Sequence, residues 1–507
     1  MMVRYAAVDI GSNSFRLAVA EATPRGGLNL IATDRQVTRL GAGVFSNGVI
    51  GKQAMADVVK TLTRFREIYQ PLQVSAVRAV ATSAVRDARN QAAFLAAASA
   101  AIGTTVEIIS GLEEARLIHN GILSRWPQQG RRVLMIDIGG GSAEIIESHG
   151  GKLISAVSKP LGAVRLTEMF LHHDPPLAGE LERMEAFIDE KLDSLIPKIP
   201  VHYDRAIGTS GTAAATVRAV NQVKRAEREA ADQAQASTAA LGRLYRELGS
   251  MSEAQRRKVP GIGPRRSEII VAGAAVFHRI LKVFKVRSVS YSASGVRDGI
   301  LFDLAERRAG IEFTRMSNEQ RREVEQMARR FSVNLPHARR VASVAHELFV
   351  GLRPMHELPA AAGRLIDAAA YLLDTGHAIS ATAHHKHSHY IVVNSDLAGF
   401  TNQERLMIAL LCRFHRKSLP ESRHEIFINQ AEEVRETVWR LIPLLRLADG
   451  LVEPQSTVEN VECAVRSGTI TVTVDSTNDV QLEQWTAEMA AVIFKAVYGK
   501  RLVLERN

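Results

Sequence analysis

Val8-Asp9-Ile10-Gly11-Ser12-Asn13-Ser14-Phe15-Arg16, close to the N-terminus, is echoed by Ile136-Asp137-Ile138-Gly139-Gly140-Gly141-Ser142-Ala143-Glu144. Each copy sits between two apolar runs, residues 5–8 and 17–20 for the first and 133–136 and 145–146 for the second. Short apolar runs broken by a Gly-rich polar turn predict a β-hairpin. In both copies an Asp closes the first strand and small residues fill the turn. Gly and Ser let a backbone come close to a ligand, and successive N–H groups in a tight turn form a concave anion site. The Ser hydroxyls add further donors. An Asp at that lip would repel phosphate unless it held Mg²⁺, directly or through water. The repeat therefore predicts two similar domains facing each other across a cleft. Two ordinary hairpin turns are the bland alternative, and the shared Asp, Gly and Ser offsets weigh against it.

A chain of 507 residues is too long for one core, and three or four domains are expected. Hydrophobic content of 46% and charged content of 23% describe an ordinary globular chain. No apolar run is long enough to span a bilayer, and the first residues enter a strand without a signal-peptide pattern. Two cysteines, Cys412 and Cys463, suggest no disulfide framework and fit a reducing cytoplasm. The net charge of +10 favours an anionic partner, whether nucleic acid, a phosphate-rich substrate or a membrane surface. Basic residues concentrate at 224–228, 256–258, 265–266 and 321–340, a spread that fits a solvated surface.

Helical spacing of Met55, Val58, Val59, Leu62, Phe65 and Ile68 predicts a helix that Pro71 stops. A strand at 74–80 runs into Thr82-Ser83-Ala84-Val85-Arg86-Asp87, where Asp87 or Asn90 can cap an Ala-rich helix ending at Gly103. Arg86 can reach a phosphate, although a surface salt bridge is the commoner use of such a residue. A strand at 105–109 leads to a helix with Glu113 and Glu114 in its first turn, where the macrodipole favours acids with or without function. Adjacent helical residues point about 100° apart, so at most one of the two can serve as a base in the cleft. Gly208-Thr209-Ser210-Gly211-Thr212 is a third small-residue turn before a helix. Residues 221–258 read as a solvent-facing helical excursion, and Val296 opens another helix after a strand at 286–291. From about residue 311 helical periodicity takes over. There His337, His346, Asp374, His377, His384, His385, His387, His389, His415 and Asp449 are conceivable metal ligands, with surface histidines on a helical domain the preferred alternative. Period-2 runs after residue 453 mark a small αβ tail.

Six segments in order, 9–16, 81–90, 109–118, 137–144, 208–212 and 294–301, give the chain its resemblance to the exopolyphosphatase/guanosine pentaphosphate phosphohydrolase (Ppx/GppA) family. Downstream, His387-Ser388-His389-Tyr390-Ile391 and Arg413-Phe414-His415-Arg416-Lys417 look like the long, four-domain members. The resemblance implies an α/β fold with two actin-like domains, 1–127 and 128–310, around a cleft. An all-α HD-like domain, 311–452, and a small α+β domain, 453–507, would follow. It implies a Mg²⁺-dependent cytoplasmic phosphohydrolase, a homodimer, acting on inorganic polyphosphate, on pppGpp to give ppGpp, or on both. Position by position, Glu114 matches the catalytic base, and Asp137 and Glu144 match the acidic pair near the metal, with Asp9 on the opposite loop. Gly11, Ser12, Asn13 and Ser14 match the first phosphate loop, Gly139, Gly140, Gly141 and Ser142 the second, and Gly208, Ser210, Gly211 and Thr212 the third. Arg86 matches a cleft arginine. In the HD-like part, His337 and Asp449 fall near the first and last ligand positions. Leu373-Asp374 stands where a His-Asp pair would, so one ligand is missing and a second metal centre is not expected.

Other classes fit parts of the pattern. A kinase or ATPase shares paired Asp-Gly loops, and a non-hydrolytic sensor of phosphate chains or alarmones would bind without releasing phosphate. A membrane role and specific nucleic-acid recognition have only the net charge behind them.

Overall fold

A computed structural model describes residues 3–23, 27–195, 201–223, 232–308, 314–452, 458–466, 468–476 and 481–506. The basic run at 224–228 lies outside the described residues. The chain forms two compact units, Met1–Ala309 and Gly310–Asn507.

The first unit holds two sheets of like topology. Strands β1 (Arg4–Ile10), β2 (Ser14–Ala22), β3 (Leu28–Val37), β4 (Ala76–Ala81) and β5 (Val106–Ile108) lie in the order β3-β2-β1-β4-β5. The second sheet contains β6 (Arg132–Ile138), β7 (Ala143–His149), β8 (Lys152–Lys159), β9 (Arg205–Thr209), β10 (Gln235–Ser237) and β11 (Ser288–Tyr291), in the order β10-β11-β9-β6-β7-β8. In each, an antiparallel three-strand meander is extended on its first strand by parallel strands. The meander needs only tight turns, whereas the parallel strands need helical crossovers.

Period-2 alternation sorts the side chains of β1. Ala6, Val8 and Ile10 pack with Val58, Leu62 and Phe65 of the helix Lys52–Tyr69 and with Phe94 and Ala98 of the helix Gln91–Ile102. Tyr5 and Ala7 face the opposite core, with Leu117 and Ile118 of the helix Gly111–Arg125 and Ile300 and Leu301 of the helix Val296–Arg308. Met135, Ile146 and Ile207 of the second sheet join that same core. Two helices therefore lie between the sheets, and the last helix of the unit packs back on the first half. Because β1 is covered on both faces, its sequence is an almost unbroken apolar run.

Residues 232–258 are not the solvent-facing excursion their charge suggests. β10 pairs antiparallel with β11, and the helix Thr238–Ser250 buries Leu241, Leu244, Tyr245 and Leu248. Asn90 does not cap its helix; its side-chain amide instead exchanges hydrogen bonds with the backbone of Ile50.

In the second unit, the helices Asn318–Arg330, Leu335–Gly351, Gly363–Leu372, His384–Val393, Asn402–Phe414 and Glu432–Leu451 surround one apolar core. The tail sheet, β12 (Val458–Arg466), β13 (Thr469–Ser476) and β14 (Arg501–Arg506), adds Ile470, Val472 and Leu502 to that core. Among the described residues no helix is long and apolar enough to cross a membrane.

Candidate active site

β1 and β6 are equivalent strands of the two sheets, so Asp9 and Asp137 end equivalent elements. Register sets Asp9 opposite Arg16 across one hairpin and Asp137 opposite Glu144 across the other. The two loops converge on one cleft, lined by Asp9 and residues 11–14 from the first and by Asp137 and residues 139–142 from the second. They touch there: a Cβ on Gly140 would lie 2.8 Å from Cβ of Ser12. Any side chain at 140 would push the loops apart.

Glu114 enters the same cleft from the helix Gly111–Arg125, whose N-cap Ser110 accepts the Glu113 N–H at 3.2 Å. The two neighbouring acids part company. Glu113 turns away and is held by Arg116 at 2.8 and 2.9 Å and by Arg78 at 3.2 Å, while both arginines also bind Asp303. Burial alone would raise Glu113, but Arg116 and Arg78 bring it below the usual carboxylate range. Among the described residues Glu114 pairs only with Arg86, whose Nη2 is 3.7 Å away, and its buried Oε2 accepts no hydrogen bond. Burial, with Glu144 beside it, pushes Glu114 well above the usual range.

The other acids behave alike. Burial raises Asp9, lifts Asp137 to about 6, and, with Asp137 nearby, lifts Glu144 to about 7. Asp9 and Asp137 line the cleft, whereas Glu144 is fully buried, is not a lining residue, and accepts from Ser158 Oγ at 2.8 Å. Such crowding of buried carboxylates is unfavourable without a cation, and the oxygen donors of Asp9 and Asp137 are of the kind Mg²⁺ takes. Asp9, Asp137 and Glu144 do not close into a tight three-ligand group. Mg²⁺ is commonly held by one or two carboxylates, with waters and substrate oxygens completing the shell.

Two cleft residues escaped the motif analysis. Arg16 lines the cleft with Arg266, which is only 8% exposed although its basic neighbourhood suggested solvated surface. Burial and the charge of Arg16 push Arg266 down to about 10, and burial with the same two neighbours brings Arg35 to about 9. Arg266 Nη1 is buried without a hydrogen-bond partner, as is Nδ2 of Asn13 on the first loop. Donors and mutually repelling cations of this kind suit a polyanion. The position of Arg16 in the repeat, matching Glu144, was the one available signal; nothing in the local pattern marked Arg266.

The third turn contributes unevenly. Ser210 lines the cleft, donates to the Ile138 carbonyl at 2.9 Å and holds φ at 71°, a conformation non-glycine residues avoid. Gly211 lies under Arg266, where a Cβ would fall 1.8 Å from Nη2. Thr212 is fully buried and gives its hydroxyl to the Ile138 carbonyl, and Gly208 sits in β9 against Phe277, off the cleft wall. Arg86 is behind Glu114, with Nη1 donating to the Ile109 carbonyl. In the second unit, His337, Asp374 and Asp449 do not come together as a ligand set. His346 pairs with Asp367 at 3.1 Å.

Comparison with known proteins agrees with this architecture. Residues 18–308 match the Ppx/GppA phosphatase family, and residues 320–487 match Ppx/GppA phosphatase, domain III. A guanosine-5'-triphosphate,3'-diphosphate pyrophosphatase of Pseudoalteromonas atlantica is 28% identical over 452 residues, 88% of this chain and 85% of its own. The crystal structure of the Aquifex aeolicus Ppx/GppA family member has a TM-score of 0.53 at 28% identity, covering 61% of this chain and 100% of that one. An exopolyphosphatase from Cytophaga hutchinsonii has a TM-score of 0.56 at 26% identity, covering 60% of this chain and 98% of its own. With paired Asp-Gly loops on repeated sheets and a matching pattern across both units, the chain belongs to the Ppx/GppA phosphatase family.

Proposed function

We propose that this chain is an exopolyphosphatase that removes the terminal phosphate of inorganic polyphosphate, with Glu114 as general base. The observation that carries this is the Glu114 carboxylate, buried in a cleft of glycine loops with Oε2 accepting no hydrogen bond. Loop N–H groups, the Ser12 and Ser142 side chains and Asn13 Nδ2 hold the terminal phosphate, and Arg16 and Arg266 neutralise the phosphates behind it. Asp9, Asp137 and Glu144 would hold Mg²⁺, which when bound supplies positive charge to phosphate oxygens. Glu114 takes a proton from a water molecule as the water oxygen bonds to the terminal phosphorus. The bridging P–O bond breaks, releasing orthophosphate and a chain one unit shorter. The transition state is loose, so alignment and charge placement supply most of the rate.

A second substrate, pppGpp, is favoured by the relative named as a guanosine-5'-triphosphate,3'-diphosphate pyrophosphatase. The chemistry would be unchanged, with ppGpp leaving in place of the shortened polymer. The deciding experiment measures phosphate release with Mg²⁺ from long-chain polyphosphate and from pppGpp, wild type against Glu114→Gln. The variant is expected to keep substrate binding and lose about 10²–10⁴-fold in turnover. Wild-type turnover in the variant would remove Glu114 from the mechanism. Release only from pppGpp would move the function to alarmone conversion, and no release from either would end the hydrolase proposal.

A further inference from the structure

The helical unit carries a second cluster of ligating groups, unrelated to the phosphate cleft. Asp374 follows the helix Gly363–Leu372, His377 lies in the short turn Thr375–Ala378, and His384 opens the helix His384–Val393. One ligand atom from each lies within 4.8 Å of the other two. Asp374 Oδ1 is 3.5 Å from His377 Nε2 and 3.7 Å from His384 Nε2. A tetrahedral zinc ion with ligands about 2.1 Å away separates its donors by roughly 3.4 Å, so these gaps are of the right size.

His415 strengthens the case. Its Nδ1–H donates to the Cys412 carbonyl at 2.8 Å, which leaves the Nε2 lone pair as the free face of the ring. That Nε2 lies 3.3 Å from Nε2 of His384. Histidines bound to metals characteristically anchor the other ring nitrogen to a carbonyl or carboxylate in this manner. A competing cation is also at hand. Arg416 places Nη1 3.2 Å from Nδ1 and 3.5 Å from Nε2 of His384, so it lies against the ring instead of in line with one lone pair. Arg416 is exposed and has solvent to move into. The rings of His377 and His384 are stacked with centroids 3.9 Å apart, and His377, 47% exposed, can turn to aim its lone pair.

We propose that Asp374, His377 and His384 form a site for a divalent transition-metal ion, zinc first, with the fourth position taken by water or by His415. Two imidazoles and one carboxylate select zinc-class ions over Mg²⁺, which prefers oxygen donors throughout. Binding replaces whatever proton His384 Nε2 shares with His415: that proton moves to Nδ1 or is released to solvent. The ion would tie the turn Thr375–Ala378 to the two helices that flank it. The site keeps Asp374 of the HD-like pattern but replaces His337 and Asp449 with His377 and His384; it uses no residue of the phosphate cleft and does not depend on the proposed reaction.

The test uses the full chain, stripped with chelator and kept in excess Mg²⁺ to occupy oxygen-rich groups elsewhere. Zn²⁺ is titrated by calorimetry, and Co²⁺ by its visible absorption, which reports low-coordinate nitrogen ligation. One Zn²⁺ per chain is expected, with affinity at least about 10–100-fold weaker in His377→Ala and unchanged in Asp137→Asn. His377 is exposed enough that its loss leaves the core intact, and circular dichroism checks this for the buried His384→Gln as well. Equal titrations for wild type and His377→Ala, or no uptake by wild type, would overturn the site.

Discussion

Glu113 and Glu114 share one helical turn and one residue type, and packing gives them opposite chemistry. Glu113 is neutralised by two buried arginines, whereas Glu114 meets a cleft of other carboxylates. The 100° offset around the helix said that only one could point inward, but not which one. The answer depended on Arg78 in β4 and Asp303 in the helix Val296–Arg308, both far away in sequence. Gly211 is similar: its motif suggested a phosphate loop, and the structure gives it the further task of leaving room for Arg266. Gly211→Ala should fold normally, because the atoms in the way are the end of a flexible side chain. It should raise KM severalfold by displacing Arg266, and an Arg266→Ala variant should show the same KM effect without further loss when the two are combined. Steady-state kinetics with a thermal-shift control would check this, and additive effects would separate the two residues.

At the scale of elements, the hairpins and most helices were legible because each obeys a local rule. The helix predicted from Met55 to Ile68 is the helix Lys52–Tyr69, and the Ala-rich helix ends at Gly103 in a left-handed conformation. β10 was not legible. It is three residues long, lies at the end of its sheet beside β11, and follows a charged stretch, so neither length nor alternation marks it. The helix Val296–Arg308 was visible as a helix, but its return to the first sheet was not, since that rests on long-range contacts: Ile300 and Leu301 against Tyr5 and Ala7, and a buried Arg78–Asp303 pair spanning 225 residues. Asp303→Ala would leave Arg78 and Arg116 sharing fewer carboxylates in the core. A loss of about 3–5 kcal/mol in unfolding free energy is expected by chemical denaturation. Glu180 offers an element-level test in pH. Burial would raise its carboxyl, but hydrogen bonds from His173 and from the Leu177 and His172 N–H groups bring it down to about 2 from 4.5. The stabilisation is therefore complete above pH 4.5 and lost as pH falls toward about 2. Wild type should lose stability faster than Glu180→Gln across that window, and parallel curves would remove the assignment.

For the whole molecule, the net charge of +10 favoured an anionic partner without choosing its class or locating where it binds. The first unit places Arg16 and the buried Arg266 in the candidate cleft. The second holds its own basic pocket of about 600 Å³, whose lining includes Lys386, Arg413, Arg416, Lys417 and Arg423. A pppGpp molecule is short, whereas a long polyphosphate has charge to spare for surfaces beyond the cleft. If polymer is the substrate, its affinity must fall with salt as counterions are released, with a slope of roughly 0.7 per contacted phosphate by analogy with single-stranded nucleic acid. Lys386 and Lys417 are exposed, so reversing both to Glu should not disturb the core. The double variant should bind long polymer more weakly and reduce the salt slope by roughly 1.4. Turnover of pppGpp, and of chains too short to leave the cleft, should be unchanged. An unchanged slope would confine polymer contacts to the first unit. An equal loss for short and long substrates would mean that the reversals act on the cleft itself, and the basic pocket would then have no separate share in holding the chain.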